Sequence, residues 1–260
     1  MELRSALNAA FALLGVFMVF ATPSRAAEEP IRIAVEGKFP PFNYLDANGE
    51  LQGFDIDIAE ALCASMKAEC TLMVQDWDEM IPGLIEQQYD AIVSSMSMSD
   101  ERRETAAFTQ RYYDSPSNFI TAKDSGLRSF TPEDLAGRRL GVTLSTSQLA
   151  YVQDNYAKSE IVVFGSSPEL YDGLADGEVD VILEDKLAAF DWLNNTRAGE
   201  CCEFRGEDIK EALYFGDGAG IAVRKDDPDL LARLDAALDE ITDNGTYNMI
   251  NAKYFPFSIR

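Results

Sequence analysis

From residue 31 onward two hydrophobic periodicities take turns along the chain. Short apolar runs at 31–35, 71–75, 91–94, 119–122, 139–143, 161–164, 179–183 and 219–223 predict buried β-strands. Between them apolar residues recur at helical spacing. Phe54, Ile58, Leu62 and Met66 predict a helix over 54–66, and Leu230, Leu234, Leu238 and Ile241 mark one face of another that stops at Asn244-Gly245. Helices are also predicted over 80–87, with Pro82 in the first turn, over 100–108 behind a Ser99 N-cap, and over 147–156. Others run from Ser167-Pro168-Glu169 to about Gly177, over 187–194 and over 246–254. Thr131-Pro132-Glu133-Asp134 reads as one more helix start, with an N-cap Thr, Pro at the first position and acids in the first turn.

Strands alternating with helices predict an α/β protein whose sheets are mostly parallel and covered on both faces. Two such series occur with no long linker between them, which predicts two α/β lobes sharing a cleft. In open α/β sheets ligands sit beyond the carboxyl ends of the strands, so the residues just after each strand carry the functional reading.

The first 26 residues stand apart and read as a secretory leader. Arg4 precedes an apolar run from Ala9 to Phe20, and Ser24-Arg25-Ala26 offers small residues at both key positions of a cleavage site. The run is too short for a membrane span of about 20 residues, and no Cys stands at the cleavage site to take a lipid. A soluble protein outside the cytoplasm is expected. Four cysteines suit that compartment. Cys63 on a helix and Cys70 at the start of the next strand are placed for a helix-to-strand disulfide. Cys201 and Cys202 are adjacent, and either a vicinal disulfide or two thiols fits them.

Composition narrows the chemistry. Lys and Arg number 22 against 45 Asp and Glu, a net charge of −23, and histidine is absent. So negative a field argues against a nucleic-acid partner. Without histidine, Ser-His-Asp and Cys-His catalysis and His-based metal sites are excluded, and no cofactor or metal is expected.

Five segments follow predicted strands. They are Glu36-Gly37-Lys38-Phe39, then Asp76-Trp77-Asp78, Ser94-Ser95-Met96-Ser97 with Arg102 at a helix head, Thr143 to Gln148 before another helix, and Glu184-Asp185. Hydroxyls, a helix N-terminus and an Arg suit a carboxylate. Asp185 from the opposite lobe suits an ammonium group. Phe39 and Trp77 would supply an aromatic wall, and Glu36 would reach a distal positive charge. Singly, these residues have plainer readings as turn serines, a solvated arginine and a core tryptophan.

At these residues the sequence resembles the periplasmic solute-binding proteins, family 3, of polar amino acid ABC transporters, in particular the lysine/arginine/ornithine-, histidine- and octopine/nopaline-binding types. The resemblance runs from Ile31 to about Phe257. It rests on E-G-K-F-P-P-F-N-Y, G-E-L-Q-G-F-D-I-D-I-A-E-A-L-C, W-D-E-M-I-P-G-L, Y-D-A-I-V-S-S-M-S-M-S-D-E-R and D-N-G-T-Y, in that order. It implies two Rossmann-like lobes joined by two hinge strands, a type II periplasmic binding protein. Lobe 1 would be discontinuous (27–116 plus 216–260), with lobe 2 at 117–215 and crossovers near 114–118 and 214–218.

By the same resemblance Arg102 would pair with the ligand α-carboxylate, with Ser97, Thr146 and Ser147 adding donors. Asp185, helped by Ser95, would bind the α-ammonium. Phe39 and Trp77 would sandwich the ligand side chain, Ser94 and Gln148 would line its pocket, and Glu36 would meet its distal cation. Position 39 is Phe where many relatives carry Tyr, and position 36 is Glu where the lysine/arginine/ornithine type has Asp. The resemblance further implies a monomer that hands its ligand to a membrane permease.

Glu36 selects the ligand class. A buried carboxylate without a partner costs several kcal/mol, and a cationic ligand tail would satisfy it. Guanidinium stacks on aromatic faces better than ammonium does, so arginine is expected first, then lysine, ornithine, histidine or an opine. The competing expectations are a neutral polar amino acid such as glutamine or cystine, a sensory role towards a membrane kinase, and an arogenate or prephenate dehydratase on the same fold using Glu36 or Glu184 as acid.

Overall fold

The computed structural model describes residues 29–260, so the expected leader at 1–26 lies outside the described residues. Two five-stranded sheets form the centres of two lobes. The first sheet runs in the order Cys70–Val74, Ile31–Val35, Ala91–Ile92, Ala222–Arg224, Ala106–Phe108. The second repeats that plan with Glu160–Phe164, Arg139–Thr143, Val181–Asp185, Ser117–Ala122, Cys202–Ile209.

In each sheet one strand is reversed. Ala222–Arg224 is antiparallel to both its neighbours, and so is Ser117–Ala122. These are the strands that arrive directly from the other lobe. A strand entering that way starts at the edge nearest the cleft, where its neighbours end. The expectation of mostly parallel sheets therefore holds for the strands joined by helical crossovers. The two connections lie side by side, with Tyr112 N–H donating to the Ala219 carbonyl and Ala219 N–H to that of Tyr113, both at 3.0 Å.

The periodic helices form where their apolar faces meet. Phe54, Ile58 and Leu62 of helix Phe54–Met66 are buried in one cluster with Leu230, Leu234, Leu238 and Ile241 of helix Pro228–Asp243. Gly53 precedes the first of these with φ 128°, and a Cβ there would lie 2.1 Å from the Phe42 carbonyl oxygen. No larger residue fits that approach. Both cysteine pairs are bonded, Cys63 to Cys70 and Cys201 to Cys202.

Two local expectations fail, and one strand was not expected. No helix follows Thr131-Pro132; the Asp134 carboxylate instead accepts hydrogen bonds from the Ser129 and Thr131 hydroxyls at 2.5 and 2.6 Å. These bonds close a turn, and the strand starting at Arg139 leaves no room for a helix. The helix expected over 100–108 ends at Thr105, because Ala106–Phe108 pairs with Ala222–Arg224 as a sheet edge. The strand Cys202–Ile209 carries mostly polar residues at an exposed edge, and so gives no hydrophobic run to read.

Candidate functional site

Strands of both lobes end at the cleft between them, and a cavity lies there with about 480 Å³ of space between its walls, open solvent included. Glu36, Phe39, Trp77, Ser94, Ser95, Ser97 and Arg102 line it from the first lobe, and Thr146, Ser147, Gln148 and Asp185 from the second. The structure thus gathers every residue that the strand-end reading singled out as ligand-facing.

On the first lobe the carboxylate of Glu36 is buried, and burial pushes its pKa up to about 7, with Asp76 and Asp55 adding to the rise and Lys38 opposing it. Its backbone N–H donates to Ser94 Oγ at 3.0 Å, which ties two strand ends together. Ser95 sits in the left-handed region at φ 54° and donates its hydroxyl to Asp55 at 2.8 Å. Asp55, fully enclosed, also accepts from Tyr112 and Asn43, a network that braces the serine loop from below. The Ser95 hydroxyl proton is therefore committed, and its oxygen can only accept. That suits an ammonium group.

Arg102 heads helix Asp100–Thr105, whose N-cap is Ser99 as expected. Its guanidinium donates to the Ser97 carbonyl at 3.1 Å and to the Ser145 carbonyl at 3.2 Å, and lies 5.2 Å from the Trp77 ring centre. Burial lowers its pKa to about 10. Among the described residues no carboxylate forms an ion pair with it.

On the second lobe Thr146 caps helix Ser147–Asn155, accepting from Leu149 N–H and donating to the Thr143 carbonyl. Its hydroxyl proton is thus spent locally, and what that element offers a ligand anion is the helix N-terminus. Gln148 donates to Ser117 Oγ at 2.9 Å. Asp185 is the N-cap of helix Lys186–Asn195; its Oδ1 accepts from Leu187, Ala188 and Ser115, while burial raises its pKa to about 6.

Three further residues line the cavity that were not expected as ligand contacts, Thr143, Ser167 and Glu184, the last expected only as an acid in the alternative dehydratase reading. Each ends a strand or begins a helix, which was the signal that could have found them. Glu184 accepts from Asp185 N–H at 2.7 Å and from Ser167 Oγ at 2.8 Å, and burial lifts its pKa to about 8. Thr143 Oγ1 is buried without a hydrogen-bond partner.

The charge balance follows. Three carboxylates, Glu36, Glu184 and Asp185, line the cavity against one cation, Arg102. Arg102 and Asp185 match the two ends of a zwitterion, and the remaining acids match added positive charge. Among the described residues no cluster of Cys, Asp and Glu could hold a metal ion.

Comparisons with known proteins place this geometry in context. Residues 31–257 match the bacterial extracellular solute-binding proteins, family 3. The chain is 37% identical over 252 residues to the L-arginine-binding protein of Pseudomonas aeruginosa, covering 95% of this chain and 97% of that one. It is 35% identical to the lysine/arginine/ornithine-binding periplasmic protein of Escherichia coli, covering 96% of both. The fold superposes with a TM-score of 0.79 on an arginine-specific periplasmic binding protein of Salmonella typhimurium, 30% identical, covering 87% of this chain and 99% of that chain. Family match, identity over almost the whole length and shared two-lobed architecture agree, and the chain belongs to the bacterial extracellular solute-binding proteins, family 3.

Proposed function

We propose that the protein captures a basic amino acid, arginine first, by closure of its two lobes, and presents it to the membrane permease of an ABC importer in the periplasm. The observation that carries this reading is the excess of carboxylates (Glu36, Glu184 and Asp185) over the single guanidinium of Arg102 in the lining of the cleft. A neutral amino acid would leave Glu36 buried and unpaired, at a cost of several kcal/mol. The Pseudomonas and Escherichia relatives, which by name bind arginine and lysine/arginine/ornithine, support the same class. In this reading 27–116 with 216–260 form one moving body, 117–215 the other, and the paired connections through Tyr113 and Ala219 act as the hinge.

The ligand contacts both bodies, so it binds the closed form better and shifts the population towards it. Calorimetric titration with arginine, lysine, ornithine, histidine, octopine and glutamine tests the reading. Arginine is expected to bind most tightly and glutamine far more weakly. Arg102→Ala or Asp185→Ala should each weaken arginine by about 3–5 kcal/mol, since each leaves a buried charge unpaired. Glutamine binding as tightly as arginine would overturn it.

A further inference from the structure

Glu36 faces the cleft from the first lobe, but among the described residues it is not the only acid there that forms no ion pair. Glu184 lines the same cavity from the second lobe, at the end of strand Val181–Asp185. It is 4% exposed and receives two neutral donors, Asp185 N–H and Ser167 Oγ. Those bonds hold the carboxylate in place without neutralising it. On the neighbouring strand Thr143 is 5% exposed, lines the cavity, and has a hydroxyl with no hydrogen-bond partner among the described residues. An orphaned buried hydroxyl in a ligand cavity is a vacant hydrogen-bonding position.

We propose that Glu184 and Thr143 form the second-lobe half of the distal-cation subsite, opposite Glu36, so that a planar guanidinium is held from both lobes at once and is selected over a primary ammonium. The inference rests on the basic amino acid reading above and names what decides among such ligands. A guanidinium offers five donors spread around a plane, enough for two carboxylates on opposite sides and a hydroxyl acceptor. An ammonium presents three donors from one point, and pairs with one carboxylate while leaving the other wall unmet. Both acids line one cavity, and the Glu36 charge adds, after burial and the nearer Asp185, to the raised pKa of Glu184. A cation bridging them would also tie lobe closure to the ligand's far end, in addition to its α-amino acid head.

The plainer role for Glu184 is to orient the backbone of Asp185. The two roles separate in a titration of wild type, Glu184→Gln, Thr143→Val and Glu36→Gln with arginine, lysine and glutamine. Under the proposal Glu184→Gln weakens arginine by about thirtyfold or more, weakens lysine much less, and leaves glutamine unchanged. Thr143→Val weakens arginine by about fivefold and leaves lysine unchanged. Glu36→Gln weakens arginine and lysine together.

A uniform loss across all three ligands in Glu184→Gln would assign Glu184 to the support of Asp185 and overturn the proposal. Unchanged arginine-to-lysine ratios in both second-lobe variants would overturn it too, while leaving the basic amino acid reading intact. Wild type that binds neither arginine nor lysine overturns that reading, and this inference with it. Ligand-free melting curves check that each variant folds, and Thr143→Val carries the test alone if Glu184→Gln does not.

Discussion

The residues of the cleft have an unusual electrostatic state for carboxylates. Burial raises the pKa of Glu36 to about 7, of Glu184 to about 8, and of Asp55 and Asp185 to about 6. A carboxylate whose folded pKa lies above its unfolded value stabilises the fold fully below the unfolded value, near 4, and loses that contribution as pH rises through the folded value. The ligand-free protein should therefore melt at progressively lower temperature as pH rises from about 5 to 8. A cationic ligand favours the ionised acids, so the sign reverses for binding. Arginine affinity should be at least about tenfold weaker at pH 5.5 than at pH 8.5, because each unit of pKa displacement is a factor of ten. Calorimetry and thermal melts at both pH values check the pair of trends, and a flat affinity profile would mean that these acids do not meet the ligand cation. The exposed ion pairs, such as Lys38 with Asp76, are expected to contribute little to either trend.

At the scale of the element, the same side chain can serve fold and ligand. Asp185 holds the N-terminus of helix Lys186–Asn195 through Oδ1 and lines the cavity. Asparagine caps a helix about as well as aspartate, whereas alanine costs about 1 kcal/mol. Asp185→Asn is therefore expected to keep its ligand-free melting temperature yet lose most of its arginine affinity, while Asp185→Ala loses both. If Asp185→Asn binds arginine like wild type, the carboxylate acts as a cap and not as a partner of the ligand ammonium.

Element reading from sequence succeeded where a hydrophobic face was long enough to repeat, as in Phe54–Met66 and Pro228–Asp243. It failed at 131–134, where capping residues are present but no apolar face follows to hold a helix against a core. There the hydroxyls of Ser129 and Thr131 take the Asp134 carboxylate and close a turn. It also failed at Cys202–Ile209, an edge strand held by backbone pairing to Ser117–Ala122 and not by an apolar pattern.

At the scale of the whole molecule, the two lobes touch at Ser145. Its carbonyl accepts from Trp77 Nε1 at 3.0 Å and from Arg102 at 3.2 Å, both reaching across the cleft. Ser145 adopts φ 57°, a left-handed conformation that costs a non-glycine residue energy and is found where surrounding structure enforces it. That turn aims the carbonyl at the opposite lobe, where the two contacts bridge the cleft. Trp77→Phe keeps an aromatic wall and removes the indole donor. Arginine affinity should fall by about fivefold, and fluorescence energy transfer between labels on the two lobes should report a smaller closed fraction at equal saturation. Equal closure in the variant would assign the contact no part in holding the lobes together.

The sequence by itself determined the apolar strands, the amphipathic helices and the segments that end at the cleft, because periodicity and strand-end position are local properties of the chain. It also pointed to most of the residues that line the cavity, since the residues with useful chemistry stand just beyond apolar runs. The tertiary structure decided which strand in each sheet is reversed, which hydroxyls are already spent on Asp55 or on a helix cap, and that Glu184 faces the same cavity as Glu36. Those outcomes depend on residues distant in the chain meeting across a sheet or between lobes, and on how much water that meeting removes.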